Sequence, residues 1–191
     1  MSKHTGEKHK QSNIMGELHI ITGPMFSGKT TELLKRISKN QGMYVNHKLD
    51  IRYNTDSITS HDGNTISCIS IDNISDLFEY PEYKNNAYIY LEEVQFFDDL
   101  KNAVLKMVEQ DNKIVHCAGL LVDIHRNKFG ELLDLVPHAN TIDMKSGICS
   151  VCLDKCAIYT SNKVNTDASK VDVTTDNYKT LCRHHYLNNC V

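Results

Sequence analysis

Three groups of residues in this sequence have types and spacings that suit chemistry. Gly23-Pro24-Met25-Phe26-Ser27-Gly28-Lys29-Thr30 fills every fixed position of G-x-x-x-x-G-K-[ST], a phosphate-binding frame. Its glycines let backbone N–H groups curl around phosphate oxygens, and a helix starting there adds its positive dipole end. Lys29 can then reach the terminal phosphates, and the Thr30 hydroxyl can ligate Mg²⁺. A glycine-rich turn capped by threonine would need neither the lysine nor the full frame. The second group is the carboxylate pair Glu92-Glu93, directly after an apolar run. Adjacent carboxylates point different ways, so one can hold a metal-bound water while the other takes a proton from a substrate hydroxyl. The competing reading is a solvated acidic pair opening a helix.

The third group is Cys149-x-x-Cys152 and Cys182-x-x-His185, with 29 residues between the pairs. Each pair offers two ligands from one tight turn, and a tetrahedral Zn²⁺ would join the turns with no position left for water, which makes the metal structural. His184 competes with His185, although the C-x-x-H register favours the latter. A redox-active C-x-x-C is the alternative for the first pair, and the second pair argues against it. Cys68 and Cys117 lie in apolar runs and read as buried, inert thiols.

Elements must hold these groups in place. Residues 18–22 are a β-branched run closing on Gly23-Pro24, which reads as a strand feeding the phosphate frame. From Thr30 the spacing of Leu33, Leu34 and Ile37 predicts a helix ended by Asn40-Gln41-Gly42, with Lys35, Arg36 and Lys39 on its solvated face. Short apolar runs at 43–45, 66–71, 87–91 and 113–118 read as further strands, with an amphipathic helix over 98–110. That alternation predicts an α/β fold: a P-loop nucleotide-binding domain with a largely parallel sheet and ligands at the carboxyl ends of its strands. The expected organisation is a flexible tail over 1–15, the α/β domain over 16–143 and a small, loop-rich zinc-binding domain over 144–191.

Composition sets the outer limits. The 191 residues carry 21 Lys and Arg against 24 Asp and Glu, a net charge of −3, which argues against a broad basic face for nucleic acid. With 40% hydrophobic residues the chain can bury a core, and no apolar run approaches a membrane span. Residues 1–13 are polar and lack a secretory apolar segment, so the expected compartment is the cytoplasm. Seven cysteines, an odd number, fit reduced thiols and metal ligands better than a disulfide scaffold.

Taken together, the motifs resemble the type II thymidine kinases, the cytosolic family that ends in a zinc-bound lasso domain. The resemblance runs from Gly16 to Tyr186. Its most distinctive piece is the phosphate frame with its Pro-Met-Phe insert, continued by Thr31-Glu32-Leu33. Asp50-Ile51-Arg52-Tyr53 is similar to the family's D-x-R-Y, Ser60-His61-Asp62-Gly63 to its S-H-x-G, and Leu91-Glu92-Glu93-Val94-Gln95-Phe96-Phe97 to its I-D-E-x-Q-F-F. Residues 119–130 correspond to its substrate loop, closing on Phe129-Gly130.

The resemblance implies transfer of the γ-phosphate of ATP to the 5′-hydroxyl of thymidine, and of deoxyuridine, with Glu93 as base and Glu92 beside Mg²⁺. It places Arg52 near the phosphates, where a surface ion pair is the plainer alternative. It puts Met25, Phe96, Leu120, Phe129 and Tyr178 around the nucleoside; without it these residues read as core packing. It also implies a homo-oligomer, commonly a tetramer, with dTTP as feedback inhibitor. Departures from the family pattern fall near the chemistry: Glu92 replaces an Asp, Leu121 stands where an Asp is usual, and Lys128 replaces a Pro. Residues 173–178 form a shorter lasso segment without its glycines. These departures motivate two alternatives: a nucleotide-binding regulatory homologue with impaired catalysis, and a kinase with altered nucleoside preference.

Overall fold

Strands with apolar residues on both faces must be buried on both sides, and the apolar runs of this chain behave that way. The computed structural model describes residues 15–50, 57–59, 65–162 and 177–188. Within it, β1 (Glu17–Thr22), β2 (Met43–His47), β3 (Ser57–Thr59), β4 (Thr65–Ile71), β5 (Tyr88–Leu91), β6 (Ile114–Gly119) and β7 (Thr141–Met144) form one sheet in the order β3-β4-β2-β5-β6-β1-β7. Every neighbouring pair is parallel except β3 with β4. The expected tail falls almost entirely outside the described residues, as do Arg52, residues 60–63 and Cys190.

The side-chain alternation divides the core in two. Leu18, Ile20, Val45, Ile89, Leu91, Val115 and Cys117 enter one buried cluster, together with Leu100, Val104 and Met107 from the segment after β5. Ile21, Tyr44, Tyr90 and Ala118 face the other way, against Leu33 and Ile37 of α1 (Lys29–Lys39). Cys68 and Cys117 are both buried, and burial pushes the Cys117 thiol well up.

Three local differences from the sequence reading have physical causes. The segment expected as one helix over 98–110 is α3 (Leu100–Leu105) followed by a π turn (Lys106–Gln110). Asp99, before it, accepts from the backbone N–H groups of Ile74 and Ser75 and so ties down the neighbouring 3-10 helix, Ile74–Glu79. That 3-10 helix and α2 (Pro81–Asn85) were not anticipated, since both are shorter than a periodicity window can register. Finally, β7 continues the sheet to Met144 although most of its residues are exposed, because its backbone pairs with β1 at the sheet's margin.

One row of rings crosses the sheet beneath α1. Tyr90, His116 and His19 are register partners on β5, β6 and β1, with centroids 4.9 and 4.7 Å apart and near-parallel planes. Arg36 Nη1 lies 3.4 Å from His116 Nδ1, which suits a neutral imidazole as acceptor. Burial, then His19, then Arg36 hold His116 down to about 3. The unfolded chain, with an ordinary imidazole near 6.5, therefore binds the extra proton between these values. Stability should fall as pH drops below about 6.5, by up to ~1.4 kcal/mol per pH unit from this residue. Denaturant unfolding between pH 4 and 7 tests this: His116→Phe keeps a ring in the row and should flatten the slope by one proton, whereas identical slopes would remove His116 as the cause.

Candidate active site and metal centre

The carboxyl ends of β1, β5 and β6 converge on one edge of the sheet, where loops are free to bind a ligand. The phosphate frame leaves β1 at Gly23, whose φ of 148° is open to glycine alone at low cost; a Cβ there would lie 2.4 Å from the Lys145 carbonyl oxygen. Phe26 at φ 57° and Gly28 at φ 82° add left-handed turns of the kind that form anion-binding nests, and Gly28 leads into α1. Lys29 is buried, with its Nζ donating to the Pro24 carbonyl at 2.9 Å across the loop. Ser27 Oγ is, among the described residues, the one buried side-chain polar atom without a hydrogen-bond partner. An orphaned hydroxyl inside such a loop fits a phosphate oxygen as its missing partner.

The two glutamates behave differently. Glu92 is 1% exposed, and its oxygens accept from Thr30 Oγ1 at 2.6 Å and from the Tyr44 hydroxyl at 2.8 Å. Burial, then the neighbouring Glu93, push its carboxyl up to about 7. Octahedral Mg²⁺ places adjacent oxygen ligands about 3 Å apart, so Thr30 Oγ1 and Glu92 Oε1 fit that ion directly or through its waters. Glu93 follows in a left-handed conformation, φ 49° and ψ 42°, close enough for its charge to act on Glu92. Gln95 Nε2 donates to Glu93 Oε2 at 2.6 Å, while Gln95 Oε1 accepts from Leu120 N at 3.0 Å. Gln95 is itself buried, so its amide joins the second glutamate to the root of the 119–130 loop. Tyr44 and Gln95 were not anticipated as site residues. Tyr44 lies 48 positions from Glu92, and Gln95, although it stands in the segment similar to I-D-E-x-Q-F-F, reaches Leu120 across 25, so no local spacing marks these two roles.

Beyond β6 the chain forms a compact loop. Asp123 Oδ1 accepts from the backbone of His125 and Asn127, Asp123 N donates to the Asn127 carbonyl, and Phe129 N donates to the Leu121 carbonyl. Facing this loop is the hairpin of β10 (Tyr159–Asn162) and β11 (Tyr178–Leu181), tied to the phosphate frame where Met25 N donates to Thr160 Oγ1 at 3.0 Å. A cavity of about 110 Å³ lies between them, lined by residues that include Pro24, Leu120, Leu121, Arg126, Tyr159 and Thr160. Leu120 is the one residue of the expected nucleoside set on this wall. Phe96 and Phe129 meet edge to face at 5.7 Å, Met25 borders the hairpin through its backbone, and Tyr178 opens β11 opposite Asn162. Lys128 forms an ion pair with Asp134 of α4 (Leu132–Leu135), and Leu121 packs against the main core.

Cys149, Cys152, Cys182 and His185 come together as their spacing predicts, with one ligand atom from each lying within 4.8 Å of all the others. His185 Nδ1 is 3.3 Å from both Cys149 Sγ and Cys182 Sγ. A tetrahedral zinc would set sulfur and nitrogen ligands about 3.6 Å apart, so the four fit that ion. Burial opposes the Cys149 thiolate, but the N–H groups of Cys152, Cys182 and Val151 and the His185 ring outweigh it and bring the thiol well below its ordinary range. His184 instead meets Asn188 on an exposed side of α5 (Arg183–Leu187).

A phosphate loop joining a parallel strand to a helix, with its threonine bonded to an acidic residue at the end of a second strand, defines a P-loop nucleotide-binding protein. Comparison with known proteins narrows that class. The sequence model of the thymidine kinase family matches residues 16–186. A thymidine kinase of Oryza sativa subsp. japonica is 37% identical over 188 residues, covering 93% of this chain and 69% of its own. Thymidine kinase a of Arabidopsis thaliana is 37% identical over 186 residues, covering 91% and 76%. A bacterial thymidine kinase, from Pseudothermotoga lettingae, is 34% identical over 178 residues, covering 90% and 95%. The chain belongs to the thymidine kinase family, a family of ATP-dependent kinases. No helix among the described residues is long and apolar enough to cross a membrane.

Proposed function

We propose that this protein transfers the γ-phosphate of ATP to the 5′-hydroxyl of thymidine, and of deoxyuridine, in the cytoplasm. The observation that carries the reading is the 2.6 Å bond between Thr30 of the phosphate loop and the buried Glu92, with Glu93 beside it held by Gln95. The backbone of residues 23–30, Ser27 Oγ and Lys29 Nζ hold the triphosphate. Thr30 and Glu92 hold Mg²⁺, which neutralises phosphate charge when bound. Glu93, oriented by Gln95, takes the proton from the 5′-hydroxyl as that oxygen attacks phosphorus. Arg52, outside the described residues, would neutralise charge on the transferring group.

Met25, Phe96, Leu120, Phe129 and Tyr178 enclose the nucleoside, and closure of the surrounding loops excludes water that would otherwise hydrolyse ATP. Cys149, Cys152, Cys182 and His185 hold a structural zinc in a small domain over 144–191 that follows the α/β domain of 16–143. A homotetramer and inhibition by dTTP complete the reading. The test is ATP-dependent monophosphate formation by the zinc-loaded full chain across the natural deoxynucleosides. Thymidine and deoxyuridine should be the substrates; turnover of a different nucleoside alone would overturn the specificity. ATP and nucleoside binding without turnover would make the protein a regulatory homologue.

A further inference from the structure

We propose that Tyr186 is a positioning residue that pins the tip of the 119–130 loop to the metal-held module and thereby sets the width of the cavity between them. Tyr186 directly follows the ligand His185 on α5, and its backbone N–H donates to the carbonyl of Cys182, another ligand. Its hydroxyl donates to the Ile124 carbonyl at 2.7 Å, a contact spanning 62 residues of sequence. The ring stacks on Tyr159 with centroids 4.4 Å apart, and the Arg126 guanidinium lies 5.4 Å from the ring centroid. Tyr159 and Arg126 line the cavity from its two sides, the hairpin and the loop. One residue behind the wall therefore joins both sides of it.

The loop is built to transmit that anchor. The Asp123 carboxylate binds two backbone N–H groups of the tip, so residues 123–127 move together and the Ile124 carbonyl carries the whole turn with it. The root is held separately, by Leu120 N on Gln95 Oε1. With root and tip both fixed, the remaining freedom of the loop is small, and the tip anchor decides how far it stands from Tyr159. The metal site thus bears on the nucleoside through Tyr186, at a distance from the phosphates. This inference rests on the reading of the cavity as part of the nucleoside site, and the test separates the two.

Tyr186→Phe removes the hydroxyl and keeps the ring. In the zinc-loaded full chain, amide exchange within residues 121–128 should rise about tenfold, the equivalent of one net hydrogen bond, with exchange in β1 and zinc stoichiometry unchanged. KM for the nucleoside should rise by a similar factor, while KM for ATP and kcat stay within about twofold. Unchanged loop exchange would overturn the anchor, and so would an equal loss for ATP and nucleoside. Loss of zinc in Tyr186→Phe would also overturn it, by assigning the residue to packing of the metal module alone. If the wild-type chain turns over no nucleoside, the functional reading fails on its own and loop exchange still decides the role of Tyr186.

Discussion

Glu93→Gln should lower kcat for thymidine by about 10²–10⁴-fold while leaving ATP affinity within about threefold. The size follows from what the substitution removes. An amide of the same shape can still accept from Gln95 Nε2, so the left-handed backbone and the link to Leu120 have no reason to change. What disappears is the capacity to take a proton as the 5′-oxygen attacks. ATP affinity should be spared because the proposed triphosphate site is residues 23–30, and the carboxylate bonded to Thr30 belongs to Glu92. Single-turnover transfer measured beside calorimetric binding of ATP separates these quantities. A loss of less than about tenfold would mean that proton removal by Glu93 contributes little to the barrier, and a parallel collapse of ATP binding would mean that the variant disturbs the phosphate loop instead.

Legibility in the sequence followed the reach of the contacts involved. The phosphate frame could be read because its function requires fixed residues within a few positions of one another, and the ligand pairs Cys149/Cys152 and Cys182/His185 because each closes within one turn. The central strands were legible because both their faces are buried, which leaves apolar runs that survive any detail of packing. β7 was not, since an exposed marginal strand of four residues has no pattern beyond its backbone pairing. The same limit hid Tyr44, Gln95 and Tyr186 as site residues. Tyr44 reaches Glu92 across 48 positions, Gln95 reaches Leu120 across 25, and Tyr186 reaches Ile124 across 62, and no local spacing encodes contacts of that kind. Each is nevertheless a polar group placed among apolar or ring contacts, where lack of a partner would be costly.

Removing the metal should have the other large effect, on the module that carries Tyr186 and not on the sheet. Among the described residues, the apolar cluster of that module consists of Cys149, Ala157, Leu181 and Cys182, so two of its four buried members belong to the candidate metal site. Among the described residues its strands pair two by two, β10 with β11 and β8 (Gly147–Ile148) with β9 (Cys156–Ala157), and isolated two-stranded ladders are marginal in water. Ion binding at such a site contributes on the order of 10 kcal/mol, more than these contacts supply alone. Chelation, or Cys182→Ser, should therefore unfold residues 147–162 and 178–187 and weaken nucleoside binding about 10²-fold or more, because the hairpin wall and the Ile124 anchor go together. The sheet has its own cluster of twenty buried residues among those described and should keep its main thermal transition within about 5 °C. Calorimetry and metal analysis before and after chelation make the comparison. Two transitions, with only the lower one responding to zinc, are expected; a single transition that moves as a whole would mean that the metal site and the sheet fold as one unit.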